Sequence, residues 1–331
     1  MRLFKTVLCI LASLFVLPLT GTAQTPSRRI AITLDDGPSV EDPNAPGVPM
    51  KDLATAQRVA AALMAALQAE KAPATIFINE GQLNAPGQRD PRAAVLERWL
   101  DAGFDLGNHT YSHVSANRVP LEKWEDEFVQ GEVILRPLVE ARGRKLVWFR
   151  YPNLHSGTTA EAHQALTEFT TKRGYRSAPI SVSYTDYAFA GPYTRELAAG
   201  HKDVAERIRQ AYIEQVDPGF EYAEKASMQV FGYEPPQILL IHCSELNSIA
   251  LRDTLIKMRK RGYAFVTLEE ATKDPVYQHP DSFTDAMPGG GWIERSAAWA
   301  GKHITASPPA LPQWIRDLPR PAARGGGPGL P

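Results

Sequence analysis

Two adjacent carboxylates, Asp35 and Asp36, follow directly after a short apolar run. Side chains that are neighbours on an extended chain point to opposite sides, so one carboxylate can bind a metal while the other handles a proton. A simple Asp-Gly-Pro turn would also explain the pair. Two further groups favour the chemical interpretation, because His109 and His113 lie four residues apart and His242 ends another apolar run. Together these side chains predict a mononuclear metal hydrolase.

The composition is that of an ordinary globular chain of 331 residues, 44% hydrophobic and 22% charged, which can bury a full core. One large domain is the simplest interpretation. The first residues differ, because Arg2 and Lys5 precede an apolar run that leads to small residues ending at Ala23. This layout predicts a secretory signal peptide over residues 1–23, whose apolar part is too short to span a bilayer comfortably.

Removal of the predicted signal peptide takes away two positive charges and no negative one, so the net charge moves from -1 to -3. No basic field is left to attract nucleic acid or anionic lipid. We therefore expect a secreted or periplasmic protein with no nucleic-acid partner and no stable membrane insertion after cleavage. The sequence does not indicate an oligomeric state.

Cys243 is the only cysteine outside the predicted signal peptide, so no internal disulfide is expected. It directly follows His242, which raises the alternative of a nucleophilic cysteine–histidine pair. That alternative is disfavoured, because adjacent side chains on a strand face opposite ways and a buried cysteine usually packs as a small hydrophobe.

From Arg29 onward, short apolar runs alternate with amphipathic stretches, which is typical of strands alternating with helices. The predicted strands are Ile30–Leu34, Ala74–Asn79, Phe104–Gly107, Leu146–Arg150, Tyr175–Val182, Ile238–His242 and Ala264–Thr267. Seven strands with intervening helices predict an α/β fold, a parallel barrel whose active residues gather at the carboxyl ends of strands. The chemically useful side chains each follow or end one of these strands: Asp35, Asp36, His109, Arg150, Asp186 and His242.

Three segments fit this alternation poorly. Val40–Met50 is a Pro- and Gly-containing insertion that we expect to form a loop over the site. The stretch from Thr194 to Gly232 predicts helices broken at Asp217-Pro218-Gly219 and packed outside the barrel. The pattern fades after about residue 274, which divides a catalytic domain at 24–275 from an extension at 276–331. From about residue 307 the extension is so rich in proline and glycine that disorder is expected.

The motifs closely resemble, in order and spacing, those of the NodB-like polysaccharide deacetylases, carbohydrate esterase family 4. The matching segments are Thr33-Leu34-Asp35-Asp36-Gly37, His109-Thr110-Tyr111-Ser112-His113, Arg150-Tyr151-Pro152, Asp186-Tyr187 and Leu239-Leu240-Ile241-His242. The resemblance covers roughly Arg28 to Ala271. It implies a distorted seven-stranded (β/α) barrel that hydrolyses N-acetyl, and sometimes O-acetyl, groups on amino-sugar polymers.

The resemblance also implies a role for each principal residue. Asp36, His109 and His113 would bind one divalent metal ion, with zinc favoured and cobalt, nickel or manganese as alternatives. Asp35 would be the general base that takes a proton from water, and His242 the general acid that protonates the departing amine. The four-residue spacing predicts that the two metal-binding histidines share one face of a helical turn.

Supporting residues follow from the same resemblance. Arg150 resembles the arginine that keeps the base carboxylate ionised and aimed, and Asp186 the aspartate that orients the catalytic imidazole. The segment around Asp186 departs from the family motif, because it keeps only the second of two aspartates and has Tyr187 in place of tryptophan. Asn153 also stands where an aromatic residue is common, so these departures leave the substrate open. Substrate contacts are predicted at Tyr151, Pro152, His155 and Tyr187.

The sequence therefore predicts an exported, metal-dependent hydrolase that removes acetyl groups from a carbohydrate. Peptidoglycan, chitin-like oligomers and exopolysaccharide are the candidate substrates. One alternative is a hydrolase of a small non-sugar amide, which the predicted secretion signal disfavours. Another is an inactive carbohydrate-binding protein on the same scaffold, which would be expected to have lost a metal ligand or the base.

Overall fold

The computed structural model describes residues 28–40, 52–278 and 290–318, which contain seven strands and eleven α-helices. The strands are β1 (Arg28–Val40), β2 (Ala74–Ile78), β3 (Asp105–Asn108), β4 (Trp148–Phe149), β5 (Arg176–Ser177), β6 (Gln237–Ser244) and β7 (Tyr263–Val266). The α-helices are α1 (Leu53–Ala69), α2 (Arg89–Asp101), α3 (Leu121–Gln130), α4 (Leu135–Glu140), α5 (Ala160–Lys172), α6 (Asp186–Ala198), α7 (Lys202–Phe231), α8 (Glu245–Lys260), α9 (Leu268–Ala271), α10 (Trp292–Trp299) and α11 (Gln313–Arg316). Short 3-10 turns span Glu80–Leu83, Pro152–Leu154 and Pro275–Tyr277.

Two predicted segments cannot be compared with this architecture. The signal peptide and residues 41–50 of the predicted loop lie outside the described residues, so both stay predictions. Within the described residues, no helix is both long and apolar enough to cross a membrane.

The strands form one parallel sheet in the order β5-β4-β3-β2-β1-β6, and β7 pairs with the start of β1. Alternate side chains of β1 belong to different apolar clusters, as the two-residue period of a strand requires. Ile32 and Leu34 pack in the main core, which includes residues of the surrounding helices. Ala31 packs in a smaller cluster with Phe77 of β2 and Trp148 of β4. A strand buried on both faces explains why this segment is apolar throughout.

The barrel closes through the chain that follows β5. The sequence predicted one strand over Tyr175–Val182, but regular pairing with β4 ends early, before Pro179, which has no N–H to donate. The chain then crosses to the other edge of the sheet, where Val182 forms a parallel bridge with Leu239 of β6. The two edges are therefore joined, and the predicted α/β fold, a distorted seven-stranded barrel, is confirmed.

Helix α7 continues through Pro218, so the predicted break at Asp217-Pro218-Gly219 is wrong. A proline inside a helix removes one hydrogen bond, but packing supports α7 on both sides of it. The Asp217 carboxylate lies 2.7 Å from the ammonium of Lys257. Gly219 approaches Tyr184 so closely that an added Cβ would lie 2.7 Å from the tyrosine Cβ.

The C-terminal extension packs along α7 as far as residue 318. Gln229 of α7 donates to the Thr305 hydroxyl at 2.6 Å, and the Arg207 guanidinium lies 4.0 Å from the centre of the Trp314 ring. Ile315 is buried. The prediction of disorder from about 307 is therefore wrong for residues 307–318, because isolated large apolar side chains among the prolines anchor the segment. Residues 319–331 lie outside the described residues.

Candidate active site

The adjacent carboxylates lie where β1 loses regular pairing with its neighbours. Register with β6 shifts after Asp35, and Asp36 has a φ of 60°, in the left-handed region. In a regular strand the two side chains would diverge, but here both carboxylates lie 3.6 Å from Nε2 of His109. The expectation that they point to opposite sides is therefore wrong. The next residue, Gly37, is required because an added Cβ would lie 2.6 Å from Ile78.

The two histidines lie on a loop after β3, so the predicted helical turn is wrong. The loop takes its shape from a distant residue, because the backbone N–H of Ser112 donates to the Glu127 carboxylate at 2.8 Å. His113 has a φ of 60°, which a helical turn would not allow. The non-helical path nevertheless places the two imidazole rings 4.9 Å apart, centre to centre.

The structure brings together the three predicted metal ligands. Oδ1 of Asp36 lies 3.6 Å from Nε2 of His109 and 3.5 Å from Nε2 of His113. One donor atom from each residue lies within 4.8 Å of the others. That Asp36 oxygen is buried and has no hydrogen-bond partner among the described residues. A buried carboxylate oxygen beside two imidazole nitrogens is a donor set that fits a divalent cation.

The imidazoles are held in the form that a metal requires. Nδ1 of His109 lies 2.8 Å from the carbonyl oxygen of Arg150, which can only accept, so Nδ1 carries the proton and Nε2 presents its lone pair. Burial lowers the pKa of His109 to about 3 and that of His113 to about 2, so both are neutral and their contacts with Asp36 are not ion pairs. Burial, helped by neighbouring Asp35, raises the pKa of Asp36 to about 7.

The other carboxylate has a cationic partner. Nη1 of Arg150 donates to Oδ1 of Asp35 at 2.7 Å and to the Thr33 hydroxyl at 2.7 Å. The guanidinium is buried and lies 4.4 Å from the centre of the Phe77 ring. Burial lowers the pKa of Arg150, and the Asp35 carboxylate opposes that shift by favouring the charged form. Arg150 thus binds Asp35 through its side chain and orients His109 through its carbonyl oxygen.

His242 lies at the end of β6 and is bound by Asp186, the first residue of α6. Its backbone N–H donates to Oδ2 of Asp186 at 2.8 Å, and its ring Nδ1 lies 2.9 Å from Oδ1. Burial alone would lower the pKa of His242, but attraction and hydrogen bonding to Asp186 outweigh it and raise the pKa to about 10. The carboxylate of Asp186 is thus the partner of the imidazole that the sequence predicted.

A cleft of about 370 Å³ connects these groups. Its lining includes the two carboxylates, all three histidines and the half-exposed ring of Tyr187, which meets His242 edge to face at 6.1 Å. The other three predicted substrate contacts do not line this cleft. Tyr151 is buried and stacks on Trp124 at 5.6 Å, with Pro152 buried beside it. Nδ1 of His155 instead lies 2.8 Å from the hydroxyl of Ser115.

The sequence marked Asn153 as a departure from the family motif, but it gave no role to Leu154 beside it or to Asn247 behind the cleft. Asn153 and Leu154 both line the cleft and have φ values of 56° and 57°, a left-handed pair that costs conformational energy. For Leu154, the position directly after the arginine motif was the only signal available. Asn247, in the first turn of α8, donates from Nδ2 to the Asp186 carboxylate at 2.7 Å. Nothing in its sequence position five residues after His242 marked it.

Cys243 does not take part in the cleft. Its thiol is fully buried, and burial raises its pKa well above the usual range. A thiol that stays protonated is a poor nucleophile, which argues against the alternative of a cysteine–histidine pair.

Comparison with known proteins supplies independent findings. Residues 22–172 match the sequence model of the family described as Polysaccharide deacetylase. No curated protein matches the chain significantly. The Bacillus subtilis peptidoglycan deacetylase PdaC is 19% identical to the matched part, with a TM-score of 0.46 and coverage of 75% of this chain and 93% of that one.

Two other solved structures are similar at low identity. A family 4 carbohydrate esterase from Streptomyces lividans, in complex with acetate, is 16% identical, with coverage of 74% and 95% and a TM-score of 0.45. A wild-type CE4 family pseudoenzyme from Bacillus anthracis is 12% identical, with a TM-score of 0.48. The match covers 74% of this chain but only 66% of that protein.

Proposed function

We propose that the protein is an exported, metal-dependent hydrolase that removes acetyl groups from a carbohydrate, and that it is a member of the polysaccharide deacetylase family, whose sequence model matches residues 22–172. The bond cleaved would be the amide of an N-acetylated amino sugar in a polymer or oligomer, with an O-acetyl ester as the alternative. One observation carries the proposal: Arg150 binds Asp35, whereas Oδ1 of Asp36 has no hydrogen-bond partner in the described part of the chain. The two carboxylates therefore suit different tasks.

Asp36, His109 and His113 would hold one divalent ion. Zinc is favoured, and cobalt, nickel or manganese are alternatives because the same nitrogen and oxygen donors accept all of them. When bound, the ion would polarise the acetyl carbonyl and make a water molecule easier to deprotonate. The protein contributes the neutral state of both imidazoles and the orientation of His109 through the Arg150 carbonyl.

Asp35 would be the general base. Its Oδ1 is held by Arg150, while its Oδ2 lies 3.6 Å from Nε2 of His109, next to the point where the three donor atoms meet. An attacking water at that point would be within reach of Oδ2. The Arg150 guanidinium holds Oδ1, which leaves Oδ2 as the oxygen that would accept the proton.

His242 would be the general acid. Its Nδ1 is bound to Asp186, so Nε2 is the nitrogen left to face a substrate in the cleft. With its pKa raised to about 10, the imidazole is protonated at neutral pH and can give that proton to the departing amine. An amine leaves an amide only when protonated, which is why an acid on this side of the cleft is needed.

Acetate release is the direct test. The purified protein, supplied with Zn²⁺ and separately with Co²⁺, Ni²⁺ or Mn²⁺, would be incubated with peptidoglycan, chitin oligomers, an acetylated exopolysaccharide and simple N-acetyl amides. We expect release from at least one glycan, and loss of that activity after chelation. Release from the simple amides alone would favour the small-amide alternative. Binding to a glycan without any acetate release would instead indicate an inactive carbohydrate-binding protein.

Export has a separate test. We propose that residues 1–23 direct secretion and are removed, which leaves Gln24 as the first residue of the exported protein. Expression of the full chain in a bacterial host, fractionation and mass determination of the recovered protein would show the mass expected for residues 24–331 outside the cytoplasm. An uncut chain in the cytoplasm would contradict the proposal.

A further inference from the structure

We infer that Asn247 is a positioning residue that holds the Asp186 carboxylate against His242, and that Tyr212 of α7 fixes the orientation of its amide. The consequence for catalysis rests on the proposed function, but the arrangement itself does not. Both residues lie outside the segment that matches the family, 22–172. Both side chains are fully buried.

Two acceptors fix which end of the Asn247 amide faces the pair formed by Asp186 and His242. Its Nδ2 lies 2.7 Å from Oδ2 of Asp186 and 2.8 Å from the carbonyl oxygen of His242. A carboxylate and a carbonyl can only accept, so the amide must present its NH₂ group to them. The amide thereby ties the carboxylate on α6 to the backbone of β6.

The opposite end of the amide is held by the outer helix. The hydroxyl of Tyr212 lies 2.5 Å from Oδ1 of Asn247. Burial raises the pKa of Tyr212 well above its usual range, so the hydroxyl keeps its proton and donates it to Oδ1. Rotation of the amide by 180° would place NH₂ against this donor and the carbonyl against the carboxylate, so the hydroxyl favours the same orientation as the two acceptors.

Asn247 is the anchor of Asp186 that is independent of the histidine itself. Among the described residues, the hydrogen bonds to this carboxylate come from His242, through its N–H and its Nδ1, and from Asn247. Without the amide, the carboxylate would be fixed only by the group that it is meant to orient. A partner behind the orienting carboxylate removes that freedom, as partners of catalytic and metal-binding groups generally do.

The direct readout is the Nδ1 proton of His242 in ¹H–¹⁵N NMR spectra of the mature protein, residues 24–331, recorded with Zn²⁺ and again with chelator. In the unmodified protein we expect a strongly downfield, slowly exchanging proton. Asp186→Ala should abolish it. Asn247→Ala should move it upfield and speed its exchange with solvent, and Tyr212→Phe should have the same effect on a smaller scale. These spectra need no substrate, so they test the inference even if no deacetylase activity is found.

A matched control separates orientation from general packing. Tyr222→Phe also removes a tyrosine hydroxyl from α7, but this hydroxyl donates to Oε1 of Glu294 at 2.7 Å, not to Asn247. It should leave the His242 proton unchanged. If Asn247→Ala does not fold, the comparison of Tyr212→Phe with Tyr222→Phe is sufficient to test the inference. An unchanged His242 proton in Tyr212→Phe, or equal changes in both tyrosine variants, would overturn it.

Kinetics provide the second readout once a substrate is known. Asn247→Ala should lower kcat by about 10- to 100-fold with little change in KM, because such partners act on the catalytic group rather than on the sugar. In an Asp186→Ala background the same change should cost less than about 2-fold, since contacting residues that act as one unit are not additive. Fully additive losses would show that Asn247 does not act through Asp186.

Discussion

On one side of the cleft, Asp36, His109 and His113 face one another without hydrogen bonds between them. Oδ1 of Asp36 lies 3.6 Å from Nε2 of His109 and 3.5 Å from Nε2 of His113. On the other side, His242 and Asp186 are joined by hydrogen bonds of 2.8 and 2.9 Å and supported from behind by Asn247. We call the first group the ligand side and the second the acid side.

The backbone differs in the same sense. On the ligand side, Asp36 and His113 both have left-handed φ values, 60° in each case, which is costly for residues other than glycine. On the acid side, His242 and Asp186 themselves lie in a strand and at the start of a helix, and the left-handed φ, 58°, belongs to Thr185 just before Asp186. The ligand side therefore holds its oxygen and nitrogen donor atoms together at a cost in backbone conformational energy, which a bound cation would offset. The acid side satisfies its own hydrogen bonds and needs no added ion.

The largest expected effect comes from the carboxylate between the two sides. Asp35→Asn should lower kcat by about 10²- to 10⁴-fold, because it removes the proposed base and leaves the three proposed metal ligands in place. Initial rates of acetate release would measure the loss. Retention of more than a tenth of the activity would show that another group accepts the proton.

The acid side can be weakened without touching the ligands. Asp186→Asn should lower kcat by about 10- to 100-fold and move the alkaline limb of the rate profile to lower pH, because His242 would lose its charged partner. Profiles of both proteins on one substrate would show the shift. An unmoved alkaline limb with metal content intact would mean that Asp186 does not set the protonation of His242.

The same pair has a stability consequence whose sign is fixed. The folded-state pKa of His242 is raised from 6.5 to about 10, so its contribution is fully present below pH 6.5 and disappears as pH rises through about 10. The stability difference between the unmodified protein and Asp186→Asn should therefore shrink across that window. Urea unfolding at a series of pH values would measure it, and a difference that grows with pH would contradict the assignment.

On the ligand side, affinity for a metal ion should weaken as pH falls, whereas the stability contribution of His242 weakens as pH rises. Its imidazoles are already neutral, so Asp36, with a pKa raised to about 7, is the group whose proton competes with the cation. Affinity for Zn²⁺ should fall by about tenfold per pH unit below pH 7, since one proton must leave for each ion bound. Competition with a chromophoric chelator would give this slope. A flat dependence between pH 5 and 7 would show that the pKa of Asp36 is not raised in the folded protein.

The smallest expected effect on activity comes from the outer helix. Gly219→Ala would push a Cβ into Tyr184, two residues before Asp186, and should destabilise the protein by about 1–3 kcal/mol. Gly174→Ala is a suitable control, because an added Cβ there meets nothing within 4 Å and only its left-handed φ of 82° is strained. Activity should fall further in Gly219→Ala than in Gly174→Ala. A larger loss of activity in Gly174→Ala would show that α7 does not support Asp186 and His242.

The strands and the convergence of Asp36, His109 and His113 could be predicted from the sequence, because both signals are local. An apolar run such as Ile30–Leu34 specifies a buried strand by itself, and a strand end specifies where a following side chain will lie. Predictions failed where a distant residue decides the local path. The loop of His113 depends on Glu127, and the length of β5 depends on Pro179 and on β6 beyond it.

The acid side shows the same limit. His242 and Asp186 could be assigned from motifs, but Asn247 and Tyr212 belong to two helices that meet only in the folded chain. The sequence predicted a break at Pro218, but α7 continues past it. Tyr212 and Gly219 therefore lie on one helix that packs behind Asp186 and His242.

Metal binding by two neighbouring variants tests the central claim most directly. Asp35→Asn and Asp36→Asn change the same chemical group at adjacent positions, so isothermal titration with Zn²⁺ and elemental analysis of both proteins compare like with like. We predict that Asp35→Asn binds one ion per chain with nearly unchanged affinity, and that Asp36→Asn binds far more weakly. Equal loss of the ion in both variants, or retention in both, would contradict the division of these carboxylates into base and ligand.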